Sequence, residues 1–218
     1  MLVAEGKGQP TSGLPLTRMS SDAGGPGCQN GSMDEEPLPD LFDAGDLVVR
    51  RWTVTDAAAL HEAIVKNTEH LRPWMPWIAF EPQTVDQRAE LIAGWERDWE
   101  RGGDVVLGVF LDGRVVGSTG LHRRIGPNGL EIGYWIDRDH LGRGLAPRVS
   151  RLLTTAAFAM PGITVVEIPC DEANTASARV PIKLGFTYVG NIDAPALAPA
   201  ETGSHRVHRM TRDEWNVG

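Results

Sequence analysis

The spacing of apolar positions changes along the chain, and each change marks an element. Leu47 to Val54 is a short apolar run, as in a strand. Thr55 and Asp56 can cap a helix reaching about Asn67, with Leu60 and Ile64 inward. Thr84-Val85-Asp86-Gln87 is a capping box, so a second helix starts there. Leu91, Ile92, Trp95 and Trp99 form its inward stripe, and Gly102-Gly103 ends it. Val105–Leu111 and Arg114–Leu121 read as strands joined by Asp112-Gly113, a strong two-residue hairpin signal. Gly126-Pro127-Asn128-Gly129 turns the chain into a further strand, Leu130–Asp137. Leu145, Val149, Leu152, Leu153, Ala156 and Met160 then recur at helical spacing until Pro161-Gly162. Ile163–Ile168 is a strand, Asn174–Leu184 a shorter helix, and Phe186–Ile192 and His205–Met210 are closing strands. The strand–helix–strand connection makes Leu130–Asp137 and the strand from Ile163 parallel. The pattern predicts one α/β domain with a mixed sheet and about four helices.

Composition changes the picture at the N-terminus. Residues 1–44 are rich in Gly, Pro and Ser and carry seven acidic against two basic side chains. They are expected to be a flexible acidic extension, with residues 45–218 as the folded domain. That segment holds −5 of the net charge of −8. Neither part suits a phosphate-backbone binder, so no nucleic-acid partner is expected. No apolar run could span a bilayer and no signal-peptide pattern opens the chain, which points to the cytoplasm and away from a membrane. Cys28 and Cys170 have no metal or redox spacing, so no metal is expected, and Cys170 reads as a small core residue.

The candidate chemistry centres on residues 130–160, where a strand, a turn holding Gly142 and Gly144, and a helix follow one another. Backbone N–H groups of such a turn, backed by the positive end of the helix, suit a phosphate. Glycines allow close approach of a diphosphate. No Gly-Lys-Ser/Thr ending is present, which argues against a P-loop. A dinucleotide fingerprint meets Pro147 where its third glycine belongs, although Glu167 lies at a tolerable spacing for a ribose contact. Upstream, His70-Leu71-Arg72-Pro73-Trp74-Met75-Pro76-Trp77 cannot form a regular helix because of its prolines. Its tryptophans either plug the core or wall a pocket.

With these residues in view, the chain resembles the GNAT superfamily of acyl-CoA-dependent N-acyltransferases, in its RimJ/RimL-like branch. The resemblance covers about residues 46–216. It rests on Leu141-Gly142-Arg143-Gly144-Leu145-Ala146 as a pyrophosphate loop and on Glu131-Ile132-Gly133-Tyr134-Trp135-Ile136 before it. It rests also on Asn174-x-x-Ser177 with Leu184-Gly185-Phe186, and on the Leu-Arg-Pro-Trp-Met-Pro-Trp segment. Leu141 stands where the family prefers Gln or Arg. Pro181, inside the last helix, removes a hydrogen bond to the Ser177 carbonyl and is expected to affect the placement of Ser177.

The resemblance implies a mostly antiparallel mixed sheet whose central parallel strands splay apart. It implies a pantetheine arm in that crevice, beside the backbone of Tyr134, Trp135 and Ile136, with Asn174 bonding the arm. The diphosphate would rest on the amides from Gly142 to Ala146. Glu131 is the candidate base, directly or through water, with an arginine-paired edge residue as the alternative. A backbone N–H near Trp135 would meet the thioester oxygen. Ser177 is the candidate proton donor to the thiolate, with a helix cap as the alternative. Arg72, Trp74, Trp77, Gln83 and His122 are candidates for the acyl and acceptor pocket. No residue pairing suggests a covalent acyl-enzyme, so the amine is expected to attack directly in a ternary complex. The donor is expected to be acetyl-CoA or succinyl-CoA, with His70, Arg72 and Gln83 as possible carboxylate donors. The acceptor is a small-molecule or peptide amine, and a homo-oligomer is expected. A catalytically silent acyl-CoA-binding module of the same fold stays open as an alternative.

Overall fold

At the expected hairpin, Asp112 and Gly113 adopt φ of 48° and 74°, so both central residues are left-handed, as a two-residue hairpin turn with matching twist requires. The turn joins β3 (Val105–Leu111) to β4 (Arg114–His122), and β4 continues antiparallel to β5 (Gly129–Ile136). The structure, a computed structural model, describes residues 38–217.

The sheet starts earlier than composition suggested. β1 (Leu41–Ala44) pairs antiparallel with β2 (Leu47–Arg51), and β2 pairs with β3. The expected boundary after residue 44 therefore falls inside a hairpin; residues 1–37 of the expected extension lie outside the described residues. A 3₁₀ turn at Val54–Asp56 leads into α1 (Ala57–Leu71), which runs a turn past Asn67. Asn67 is fully buried, and its side chain reaches the Ala63 carbonyl, the Asp137 carboxylate and the Arg138 N–H. It is a buried polar anchor in the helix and not its end.

The Pro- and Trp-rich segment forms an irregular stretch ending in a 3₁₀ turn at Pro76–Phe80. α2 (Val85–Glu100) follows, and both halves of its capping box form: Thr84 Oγ1 accepts the Gln87 N–H at 3.2 Å and Gln87 Oε1 accepts the Thr84 N–H at 2.8 Å. After β5 come α3 (Leu145–Ala159), β6 (Val165–Asp171), α4 (Thr175–Lys183), β7 (Thr187–Asp193), β8 (Ser204–Thr211) and α5 (Arg212–Val217). The last helix was not expected.

The strand order is β1-β2-β3-β4-β5-β6-β8-β7, antiparallel everywhere except β5 with β6. Each face of the sheet carries a core. Leu130, Ile132 and Ile136 of β5 join Leu145, Val149 and Leu153 of α3 on one face. Trp135 joins Leu60, Ile64, Ile92 and Val106 on the other, under α1 and α2. The alternation of β5 places Gly133 and Glu131 on the Trp135 face.

Candidate active site

The parallel pair is short. β5 and β6 register only at Gly129↔Val165, Leu130↔Val166 and Glu131↔Glu167, although β5 runs on to Ile136 and β6 to Asp171. Beyond Glu131 the strands separate and leave a crevice at their C-terminal ends. Such a crevice is where open α/β sheets take ligands. The Asp137 N–H bonds the Val116 carbonyl on β4 at 2.8 Å, and ladder alternation therefore turns the amides of Tyr134 and Ile136 into the gap. The Trp135 N–H itself faces β4. Its neighbours hold the free groups.

Ahead of α3 the loop lies open. Gly142 and Gly144 both have φ of 74°, and a Cβ on either would meet nothing within 4 Å. Leu141, Gly142 and Arg143 are exposed. Gly144 caps α3 with no side-chain bond, and among the described residues the amides from Gly142 to Ala146 have no hydrogen-bond partner. Unpartnered N–H groups at a helix start, with clear space before them, suit an anion. Asp137 anchors the approach to this loop. It is buried and held by Lys66 at 2.8 Å, by Asn67 and by the Asp139 N–H. Burial works to raise its carboxyl, but these partners outweigh burial and hold it at about 2.

Across the crevice, Asn174 Oδ1 accepts the Ser177 N–H at 3.1 Å and caps α4. The cap is thus Asn174, which frees the Ser177 hydroxyl. Tyr134 Oη lies 3.0 Å from Ser177 Oγ and donates to the Ser177 carbonyl at 3.3 Å. Burial pushes the tyrosine phenol up, so it stays protonated. Cys170 is free and buried, with its thiol pushed up to about 11 by burial, as befits a core residue. Glu167 is paired with Arg209 at 2.8 Å and lies in the zipped part of the strand pair, which leaves it no role in a ribose site.

The other face carries two cavities. One of about 350 Å³ lies between α1, α2 and the sheet, walled by Trp77, Phe80, Gln83, Arg88, Trp95, Asp104, Arg124 and Trp135. A narrow slot of about 20 Å³ adjoins it, lined by Met75, Trp77, Gly120, His122, Gly133, Tyr134 and Trp135. Gly120 and Gly133 are direct cross-strand neighbours, so the slot is a gap in the side-chain layer between Ser118/Trp135 and His122/Glu131.

Of the expected pocket residues, Trp77, Gln83 and His122 are brought together here. Arg72 is exposed and pairs with Glu69 at 3.3 Å, and neither it nor Trp74 lines either cavity. Glu131 sits beside His122 in the β4–β5 register, but not in the apolar surroundings expected of a base: its carboxylate accepts from Arg124 at 2.8 Å. His122 Nδ1 lies 2.7 Å from Asp104 Oδ2. Arg88 is buried, bonded to Gln83 at 2.8 Å and to Glu81. Sequence reasoning missed Arg88, Asp104 and Arg124. Arg88 alone left a signal, since it lies four residues before Ile92 on the inward stripe.

A split parallel pair beside an open amide loop defines an acyl-CoA transferase class of site. The comparisons agree. The family description "Acetyltransferase (GNAT) domain" matches residues 46–187, and the chain belongs to that family. YdaF of Bacillus subtilis (strain 168), provisionally named a ribosomal N-acetyltransferase, is 31% identical over 146 residues, covering 66% of this chain and 79% of its own. A crystal structure of a probable acetyltransferase superposes with a TM-score of 0.74 at 26% identity, covering 80% of this chain and 98% of its own. RimL, a ribosomal L7/L12 alpha-N-protein acetyltransferase in complex with coenzyme A, matches in fold with a TM-score of 0.72 at 21% identity, covering 82% and 99%. The chain is a GNAT-family acetyltransferase. Among the described residues no helix is long and apolar enough to cross a membrane.

Proposed function

We propose that the chain transfers an acetyl group from acetyl-CoA to the N-terminal amine of a protein or peptide, by direct attack in a ternary complex. The observation that carries this reading is the three-rung parallel pair that opens toward free amides at the start of α3. The diphosphate is held by the N–H groups of Gly142 to Ala146, and Leu141 and Arg143 flank it. The pantetheine arm lies in the crevice against Tyr134 and Ile136, with the unused Asn174 amide nitrogen beside it. The acceptor enters over the large cavity on the opposite face.

An α-amine, with an ordinary pKa near 8, is far easier to deprotonate at neutral pH than a lysine near 10.4. Its proton passes to the cluster of His122, Asp104, Arg124 and Glu131 at the end of the slot. As nitrogen adds to the carbonyl carbon, an amide N–H facing the gap stabilises the oxyanion. The carbon–sulfur bond then breaks, and the Ser177 hydroxyl, held by Tyr134, supplies a proton to the thiolate. A succinyl donor would need a partner for its distal carboxylate. Arg88, whose Nε is buried on the cavity wall without a partner among the described residues, is the group that could receive it. A ratio of kcat/KM for succinyl-CoA over acetyl-CoA above unity would favour that donor.

The test is thiol release from acetyl-CoA in the presence of a hexapeptide with a free N-terminus, with mass spectrometry of the product. An increase of 42 Da on the α-amine is expected. Tight acetyl-CoA binding with no acylation of any amine would favour a silent binding module.

A further inference from the structure

We propose that His122, oriented by Asp104, is the base that takes the proton from the attacking amine, and that Glu131 serves to hold Arg124. The proposal rests on the acetyltransferase reading above and assigns a residue to a step that reading leaves with a cluster.

The geometry at the imidazole is that of a base with an orienting partner. Asp104 Oδ2 lies 2.7 Å from Nδ1, while Oδ1 accepts the Arg123 N–H at 2.9 Å, so the carboxylate cannot swing away. Nδ1–H donates to it, which puts the lone pair on Nε2. Nε2 leans over Gly120: a Cβ built there would sit 3.0 Å from it. Gly120 thus keeps clear the space that Nε2 faces. That space is the slot shared with Gly133, Tyr134 and Trp135, the last two of which precede the open end of β5. Among the described residues nothing hydrogen-bonds Nε2. Only 1% of His122 is exposed, so the nitrogen addresses the slot and not bulk water.

Among the described residues the charges around the ring are few. Asp104 precedes β3, Arg124 follows β4, and Glu131 faces His122 from β5. Met75 and Trp77 close the slot with apolar surface. Burial lowers the His122 pKa below 6.5, more than the Asp104 bond raises it, so the ring is neutral and able to accept a proton at pH 7. Glu131 is less suited, because a guanidinium already occupies its carboxylate at 2.8 Å. The step balances: the amine's N–H proton goes to Nε2 as the carbon–nitrogen bond forms. The carbon–sulfur electron pair leaves on sulfur, which takes the Ser177 hydroxyl proton; the serine oxygen regains a proton from water, and the imidazolium returns its own to water.

The experiment compares the parental chain with H122Q, H122A, D104N and E131Q, using acetyl-CoA and the free-amine hexapeptide. It records kcat/KM from pH 5 to 9 and acetyl-CoA affinity by calorimetry as a check on folding. A general base contributes roughly 10²- to 10⁴-fold, so H122Q should lose about 10²-fold or more while still binding acetyl-CoA. It should also lose the fall in rate below pH 6.5 that is expected of the parental chain. Added imidazole should restore part of the rate to H122A, and D104N should move the acidic limb to lower pH. E131Q should lose less than H122Q. Parental-like rate and pH profile in H122Q, or loss of the limb in E131Q alone, would overturn the proposal. Should H122Q not fold, an unmoved limb in D104N would overturn it as well. If the parental chain binds acetyl-CoA and transfers nothing, the acetyltransferase reading fails first and this proposal with it.

Discussion

Tyr134 and Ser177 meet across the splayed strands, with Oη 3.0 Å from Oγ and 3.3 Å from the Ser177 carbonyl. That carbonyl is the one Pro181 cannot bond, four residues on. α4 continues through Pro181 to Lys183, and the tyrosine supplies the donor the helix lacks. The proline therefore ties the candidate proton donor to β5. S177A should lower kcat roughly tenfold to hundredfold with little change in KM for acetyl-CoA, as expected for a proton donor. Y134F keeps the serine hydroxyl but not its orientation. It should lower kcat less and reduce stability by about 1 kcal/mol. Steady-state kinetics and denaturant melts check both.

The loop proposed to hold the diphosphate makes a separate prediction. Gly144 has a left-handed φ of 74° in open space, so a methyl group there clashes with no side chain but opposes the backbone conformation. G144A should cost about 1–2 kcal/mol in that conformation, reorienting the amides. The acetyl-CoA Kd, measured by calorimetry, should rise about tenfold, a loss equivalent to about 1.4 kcal/mol.

Asp137 links the loop's stability to pH. Its folded carboxyl lies at about 2, below an ordinary aspartate near 3.9, so the native state favours the ionised form. That contribution is fully present above the unfolded value. It fades as pH falls from about 5 toward 2, because the unfolded state then binds the proton first. D137N should lower stability at pH 7 by about 2 kcal/mol and flatten the loss of stability over this acid range. Urea melts between pH 2.5 and 7 would show both effects.

Arg88, on the wall of the large cavity, forms a buried ion pair with Glu81. R88A would leave the Glu81 carboxylate uncompensated. It should destabilise the fold by about 3–5 kcal/mol, whereas removing both partners together should cost less. A double-mutant cycle by denaturant melting measures the difference.

Residues that act through their neighbours in sequence were the legible ones. The Thr84–Gln87 capping box, the Asp112-Gly113 turn and the strand–glycine–helix passage into α3 are local devices, and each forms as read. The family resemblance extended this to the splay. The N-terminal strand escaped notice because Leu41-Phe42-Asp43-Ala44 is an edge segment of four residues inside an acidic stretch. α5 did leave a signal, since Thr211 and Glu214 form a capping box, with the Thr211 N–H on Glu214 Oε2 at 2.9 Å. Arg88 apart, the site's polar pairings left none. Asp104 and His122 are eighteen positions apart and Tyr134 and Ser177 forty-three, joined only by the sheet's closure. Arg72 and Trp74 looked like pocket residues by their neighbours, yet the turn at Leu71–Met75 directs them elsewhere.

The short zipper between β5 and β6 also bears on when this protein is whole. Past Glu131 and Glu167 the two strands have facing backbone edges that no other described residue completes. On the function proposed above, a donor seated between them acts as a guest strand, and its departure as free coenzyme reopens a seam through the centre of the sheet. Each catalytic cycle thus knits and unpicks the molecule, so amide exchange in Ile132–Ile136 and Ile168–Asp171 should slow with donor bound and quicken once the product leaves.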